Sequence, residues 1–154
     1  MKKVFSIFAG MAIAILAVSC VSTADPAPVP EAEDASNPTF EKAYQKYQSK
    51  LILDGAKSYT VRSGDTLSVI TQKHYGAGST YYFPVIMLAS RGVVADPNLI
   101  RPGMKLTIPD LQKNLGDPAA RENMKAFIGE IAAVYGHKGN AAVQNRLLDL
   151  AKSL

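Results

Sequence analysis

The chain has 154 residues, which suits one modest domain with appendages and limits any single core to a compact one. Its 17 basic and 13 acidic residues leave too small an excess to imply a nucleic-acid partner. A single cysteine excludes an intramolecular disulfide, and two isolated histidines make neither a metal set nor a catalytic triad.

Lys2 and Lys3 precede an apolar run from Val4 to Val18 that ends in Ser19-Cys20. That order reads as a signal peptide over residues 1–19, because the run is shorter than the about 20 apolar residues of a membrane span. Leu16-Ala17-Val18-Ser19-Cys20 resembles the lipobox of bacterial lipoproteins. The resemblance implies export, cleavage before Cys20 and acylation of its sulfur, palmitate being one such chain. Two or three acyl chains anchor stably where one is marginal. The other reading is an ordinary secretory signal cut near Ser19, with Cys20 left as a thiol. Val21 stands after the cysteine where Asp would signal inner-membrane retention, by resemblance to enterobacterial-type lipoproteins. The expected location is the bacterial cell envelope, on the outer membrane or facing the periplasm.

Residues 20–38 follow as lipidated cysteine and linker: four prolines, four acids and no aromatic residue cannot form a core. In polyproline-like conformation residues 21–38 reach roughly 55 Å, enough to stand off from a membrane. With the leader's two lysines removed, 15 of the 17 basic residues remain, all on the body beyond the acidic linker.

Thr39 can cap an N-terminal helical segment, 39–57, whose apolar positions Phe40, Tyr44, Tyr47 and Leu51 recur at helical spacing, with Gly55 as its stop. Ser58 to Arg62 alternates and is β-branched, predicting a strand. Gly64-Asp65-Thr66 forms the turn after it, with Asp65 as the expected cap of a short helix carrying Leu67, Ile70 and His74. A second helix is expected from about Phe83 to Ser90, Pro84 being comfortable only in its first turn. Turns at Asp96-Pro97 and Pro102-Gly103 flank Leu99-Ile100 and lead to a strand at Lys105 to Ile108, ended by Pro109. The segment 58–109 thus reads as strand, helix, helix, strand, and the fold class is α+β. Residues 110–154 read as a helical hairpin, started by Asp117-Pro118 and again by Asn140, with Gly136 to Gly139 as its link.

"YTVRSGDTLSVITQKHYG" at 59–76 with "NLIRPGMKLTIP" at 98–109 resembles the LysM (lysin motif) family. The resemblance implies a βααβ fold that binds N-acetylglucosamine-containing glycans, such as peptidoglycan or chitin, without a cofactor or metal. It places the glycan against two loops, here Ser63, Gly64, Asp65, Thr66 and Leu67 on one side and Asn98, Leu99, Ile100 and Arg101 on the other. Backbone groups freed by Gly64 and the Thr66 hydroxyl suit an acetamido group, with Leu67, Leu99 or Ile100 against its methyl. A structural cap and a ligand loop are compatible roles for one turn. The family commonly has Asn after the second helix, where this chain has Ser90, and the approach from Gly92 to Asn98 is long.

"YYFPVIMLA", 81–89, has no charged residue and almost no polar face, so its helix is expected to be buried on a second side by the stripes Phe40 to Leu51 and Phe127 to Tyr135. Tyr81, Tyr82 and Phe83 could stack on a sugar or belong to the core. A glycosidase built on Asp65 and Asp96 is imaginable, but no nucleophile and base fall together, so no catalytic residue is expected. The expected function is non-catalytic peptidoglycan binding by a membrane-anchored lipoprotein. The alternative is a scaffold recruiting a cell-wall hydrolase or another envelope protein through its helical tail.

Overall fold

Thr39 starts the first helix as expected, its hydroxyl oxygen accepting from the Lys42 amide at 3.2 Å. The structure, a computed structural model, describes residues 38–47 and 51–154. The leader, Cys20 and the linker as far as Asn37 lie outside the described residues. Helix α1 (Phe40–Lys46) is shorter than the segment 39–57 assigned to it, because Tyr47 takes an extended conformation. Beyond it, the chain from Leu51 to Leu53 is neither helix nor strand. Asn114 holds this stretch from the side, its carbonyl accepting from the Ile52 amide at 2.8 Å and its amide donating to the Ile52 carbonyl at 3.0 Å. Those groups are thereby withdrawn from any helical ladder.

Strand β1 (Lys57–Thr60) pairs antiparallel with β2 (Lys105–Ile108), in register from Lys57 opposite Ile108 to Thr60 opposite Lys105. Two further bonds, from the Val61 amide to the Met104 carbonyl and from Gly103 to the Val61 carbonyl, both 2.9 Å, carry the pairing past the strand ends. Gly103 takes a φ of +92°, which a side chain would strain. Between the strands lie α2 (Leu67–Tyr75) and α3 (Phe83–Ala89), the latter entered through a 3-10 turn at Thr80–Tyr82 with Pro84 in its first turn. The order is βααβ, in agreement with the expected α+β class.

A short helix, α4 (Leu111–Gly116), follows β2, where residue periodicity gives no sign of one. The hairpin consists of α5 (Pro118–His137) and α6 (Ala141–Ser153). Their expected caps are in place: Asp117 accepts from the Ala120 amide at 2.7 Å, and Asn140 from the Val143 amide at 3.2 Å. Helix α5 continues through Gly136 and His137, so the link contracts to Lys138–Asn140.

The apolar α3 explains why the described residues fall in one compact unit. Val85, Ile86, Met87 and Leu88 are each at most 1% exposed, with α2 and β2 packed on this helix and α5 as a further neighbour. Aromatic rings complete the contact. Tyr135 of α5 lies edge-on to Phe83 at 6.1 Å and to Phe40 of α1 at 5.7 Å, while Phe127 meets Tyr44 at 5.6 Å and Tyr47 at 6.1 Å. Each such side chain contributes about 1.5–3 kcal/mol on burial, which is why a helix without a polar face is stable here. Ser90, in the place of the family's Asn, ties the end of α3 to β2: its hydroxyl accepts from the Thr107 amide at 2.8 Å and donates to the Thr107 carbonyl at 3.3 Å. No described helix is long and apolar enough to cross a membrane.

Candidate functional site

The loop after β1 is shaped by Gly64 and Asp65. Gly64 has a φ of +83°, and the chain reverses there with the Asp65 amide donating to the Arg62 carbonyl at 3.2 Å. A side chain added at Gly64 would meet nothing, so conformation and not space demands the glycine. Asp65 is not the cap of α2. That role falls to Thr66, whose extended backbone immediately precedes the helix and whose hydroxyl oxygen accepts from the Val69 amide at 3.2 Å. The Asp65 carboxylate turns back instead, accepting from the Arg62 amide at 2.8 Å and the Tyr59 hydroxyl at 2.7 Å. These two bonds, the Arg62 amide foremost, hold its carboxyl below the usual carboxylate range. It is therefore an anion at neutral pH, unsuited to act as a general acid.

The second loop is built on Asp96. One of its oxygens accepts from the Asn98 backbone amide at 2.8 Å and from the Asn98 side-chain amide at 2.9 Å, setting a 3-10 turn over Pro97–Leu99. Its other oxygen pairs with Lys138 at 3.3 Å. The Tyr135 hydroxyl donates to the Asn98 side-chain oxygen, Oδ1, at 3.4 Å. Burial pushes the Tyr135 phenol up, so it remains a donor at neutral pH. The long approach from Gly92 is drawn inward where Val93 and Val94 both donate to the Ser90 carbonyl and Val94 is buried.

Between the loops lies a cleft of about 350 Å³. Asp65, Thr66, Leu67 and Ser68 line it from the first loop, and Pro97, Asn98 and Ile100 from the second. Thr80, Tyr81 and Phe83 contribute from the start of α3 and the turn before it. Its size falls in the roughly 300–1,000 Å³ range of small-ligand sites. A family model, that of the LysM domain, matches residues 59–109. The chain carries a LysM domain. No curated protein and no solved structure matches the chain.

A LysM domain is a binding module for glycans of the peptidoglycan or chitin type. Of the nine residues assigned to glycan binding, the structure brings Asp65, Thr66, Leu67, Asn98 and Ile100 to one cleft. Ser63 and Gly64 are exposed in the turn and do not line the cleft. Leu99 and Arg101 face a separate depression with Val93, Val94 and Met104, and Leu99 is 60% exposed there. Leu99 closes the 3-10 turn, which sends its side chain away from that of Asn98, and Ile100, extended just beyond the turn, borders both the cleft and this depression. Tyr81, for which the residues alone allow either sugar contact or core, is half-buried and lines the cleft, whereas Phe83 both lines it and belongs to the core. His74 packs edge-on against Tyr59 at 5.2 Å, and His137 is exposed at the end of α5.

Sequence reasoning misses Ser68, Thr80 and Pro97, which neighbour the assigned loops, and three lining residues from farther along the chain. Tyr135, Asn140 and Val143 come from the corner between α5 and α6, outside the LysM domain. No local pattern singles them out, because Tyr135 reads as one more position of an apolar stripe and Asn140 as a cap. A hollow of about 220 Å³, lined by Lys57, His74, Tyr75 and Asp110 among others, contains none of the nine assigned residues.

Proposed function

We propose that the protein is a non-catalytic, lipid-anchored component of the bacterial cell envelope that binds peptidoglycan glycan strands through the cleft of its LysM domain. The observation that carries this reading is the convergence of the two loops on one cleft of mostly uncharged character. Asp65 is the one ionisable carboxylate or ammonium bearer in its lining, and one of its two oxygens is already engaged by Tyr59 and Arg62. Hydroxyls of Thr66, Ser68 and Thr80 and the amide of Asn98 suit the hydroxyl and acetamido groups of a neutral sugar. Leu67, Pro97 and Ile100 suit its apolar faces.

Co-sedimentation of the full chain with purified peptidoglycan sacculi tests the binding. The parent should pellet with sacculi and Ile100→Asp should remain largely in solution; a parent that stays in solution overturns the reading. Anchoring is tested separately by metabolic labelling with a fatty-acid analogue, where Cys20→Ser should lose both label and membrane fractionation. Retention of the label in Cys20→Ser would refute acylation at that sulfur. Many anchored copies facing one cell wall gain from high effective concentration, so a weak single site suffices for attachment.

A further inference from the structure

Resting on that reading, we infer that the α5–α6 corner is a third wall of the glycan site, with Asn140 and Val143 in direct contact with the bound sugar and Tyr135 both lining the site and positioning its second loop.

Three observations support this assignment. Tyr135, Asn140 and Val143 line the same cleft as Thr66 and Asn98. The corner is also fixed to the second loop at two points, by the Tyr135 bond to Asn98 at 3.4 Å and the Lys138 pair with Asp96 at 3.3 Å. Finally, Asn140 is chemically suited to the contact. Its side-chain oxygen is used in accepting from the Val143 amide, while its NH2 group makes no hydrogen bond within the described residues. An exposed amide donor beside the half-buried Val143 presents a polar and an apolar group together. That pairing matches an N-acetylhexosamine, whose acetamido carbonyl accepts a hydrogen bond and whose methyl seeks apolar surface.

The corner therefore discriminates ligands as well as shaping the loop. Asn140 separates these roles, since it has no hydrogen bond to the second loop and can act on affinity only by touching the ligand or by capping α6. Serine keeps the cap and replaces the NH2 group with a shorter hydroxyl, which stands one bond nearer the backbone.

The test uses the full chain in detergent with chitotetraose, the β-1,4-linked tetramer of N-acetylglucosamine, as probe. Isothermal titration should give Asn140→Ser an affinity about 3- to 10-fold below the parent, the loss expected for one hydrogen bond. Val143→Lys should lose more, and in amide spectra of the parent the Asn140 side-chain signals should move on titration. Unchanged thermal unfolding of Asn140→Ser would establish that its effect is not misfolding. If both corner variants bind within twofold of the parent while Ile100→Asp loses affinity, the third wall is refuted and LysM binding stands. If the parent binds neither chitotetraose nor sacculi, the reading beneath fails and the third wall fails with it.

Discussion

The Tyr59 hydroxyl donates to the Asp65 carboxylate at 2.7 Å, joining strand β1 to the turn that leads into α2. The same oxygen accepts from the Arg62 amide, so one carboxylate oxygen fixes both ends of the reversal. The turn is thereby held from inside, without needing a ligand to order it.

Removing either side of that bond should loosen the same element. Tyr59→Phe and Asp65→Asn are expected to lower the melting temperature, and the double variant should lose less than the two losses added together. The bonds also carry a pH dependence. Because the folded carboxyl titrates below its usual value, its contribution is present above that value and is lost as pH falls through it toward the depressed folded one. Acid unfolding of Asp65→Asn should lack this component, as fluorescence-monitored titrations of the two proteins would reveal.

His74 should make the fold sensitive to a milder range. Burial, with Lys73 and Lys57 adding to it, pushes its imidazole below the ordinary histidine value near 6.5. The folded state therefore favours the neutral ring. The resulting stability is complete above the unfolded value and falls as pH drops through it toward the lower folded one. Urea midpoints measured between pH 8 and pH 5 should decline for the parent and decline less for His74→Gln.

Asn114 is fully buried and bonded to both backbone groups of Ile52, with a third bond to the Asp110 carbonyl at 2.8 Å. Asn114→Ala strands these groups, and the expected cost is about 1–3 kcal/mol in chemical denaturation. Hydrogen exchange should rise at the Ile52 amide first. A variant as stable as the parent would mean that the stretch between α1 and β1 finds other partners.

Phe127 supports α1 by meeting Tyr44 and Tyr47 at once. Phe127→Ala should cost about 3–5 kcal/mol, since the side chain is 1% exposed and leaves a cavity among its neighbours. Deleting residues 117–154 goes further, uncovering the apolar α3, and aggregation of that fragment is the expected result. A soluble fragment with the parent's melting temperature would remove the role assigned to α5.

How far the residues alone disclose the fold depends on the range of the interactions involved. Thr39, Asp117 and Asn140 cap the helices assigned to them because a cap bonds only two or three positions ahead. Even so, Asp65 and Thr66 are both good cap residues, and only backbone conformation decides between neighbours. The apolar stretch at 81–89 implies cover on a second side, and the aromatic stripes of α1 and α5 are the surfaces able to supply it. The walls of the cleft are harder to read. Its place in the motif assigns Leu99 to binding, yet the 3-10 turn directs it elsewhere. Tyr135 reaches Asn98 only through tertiary packing, which neither periodicity nor spacing encodes.

Tyr135 has a mechanical consequence as well. Its ring lies against Phe40, the first residue of α1, and its hydroxyl holds Asn98 at the cleft. A displacement of the first turn of α1 therefore reaches the second loop of the cleft through two contacts of one residue.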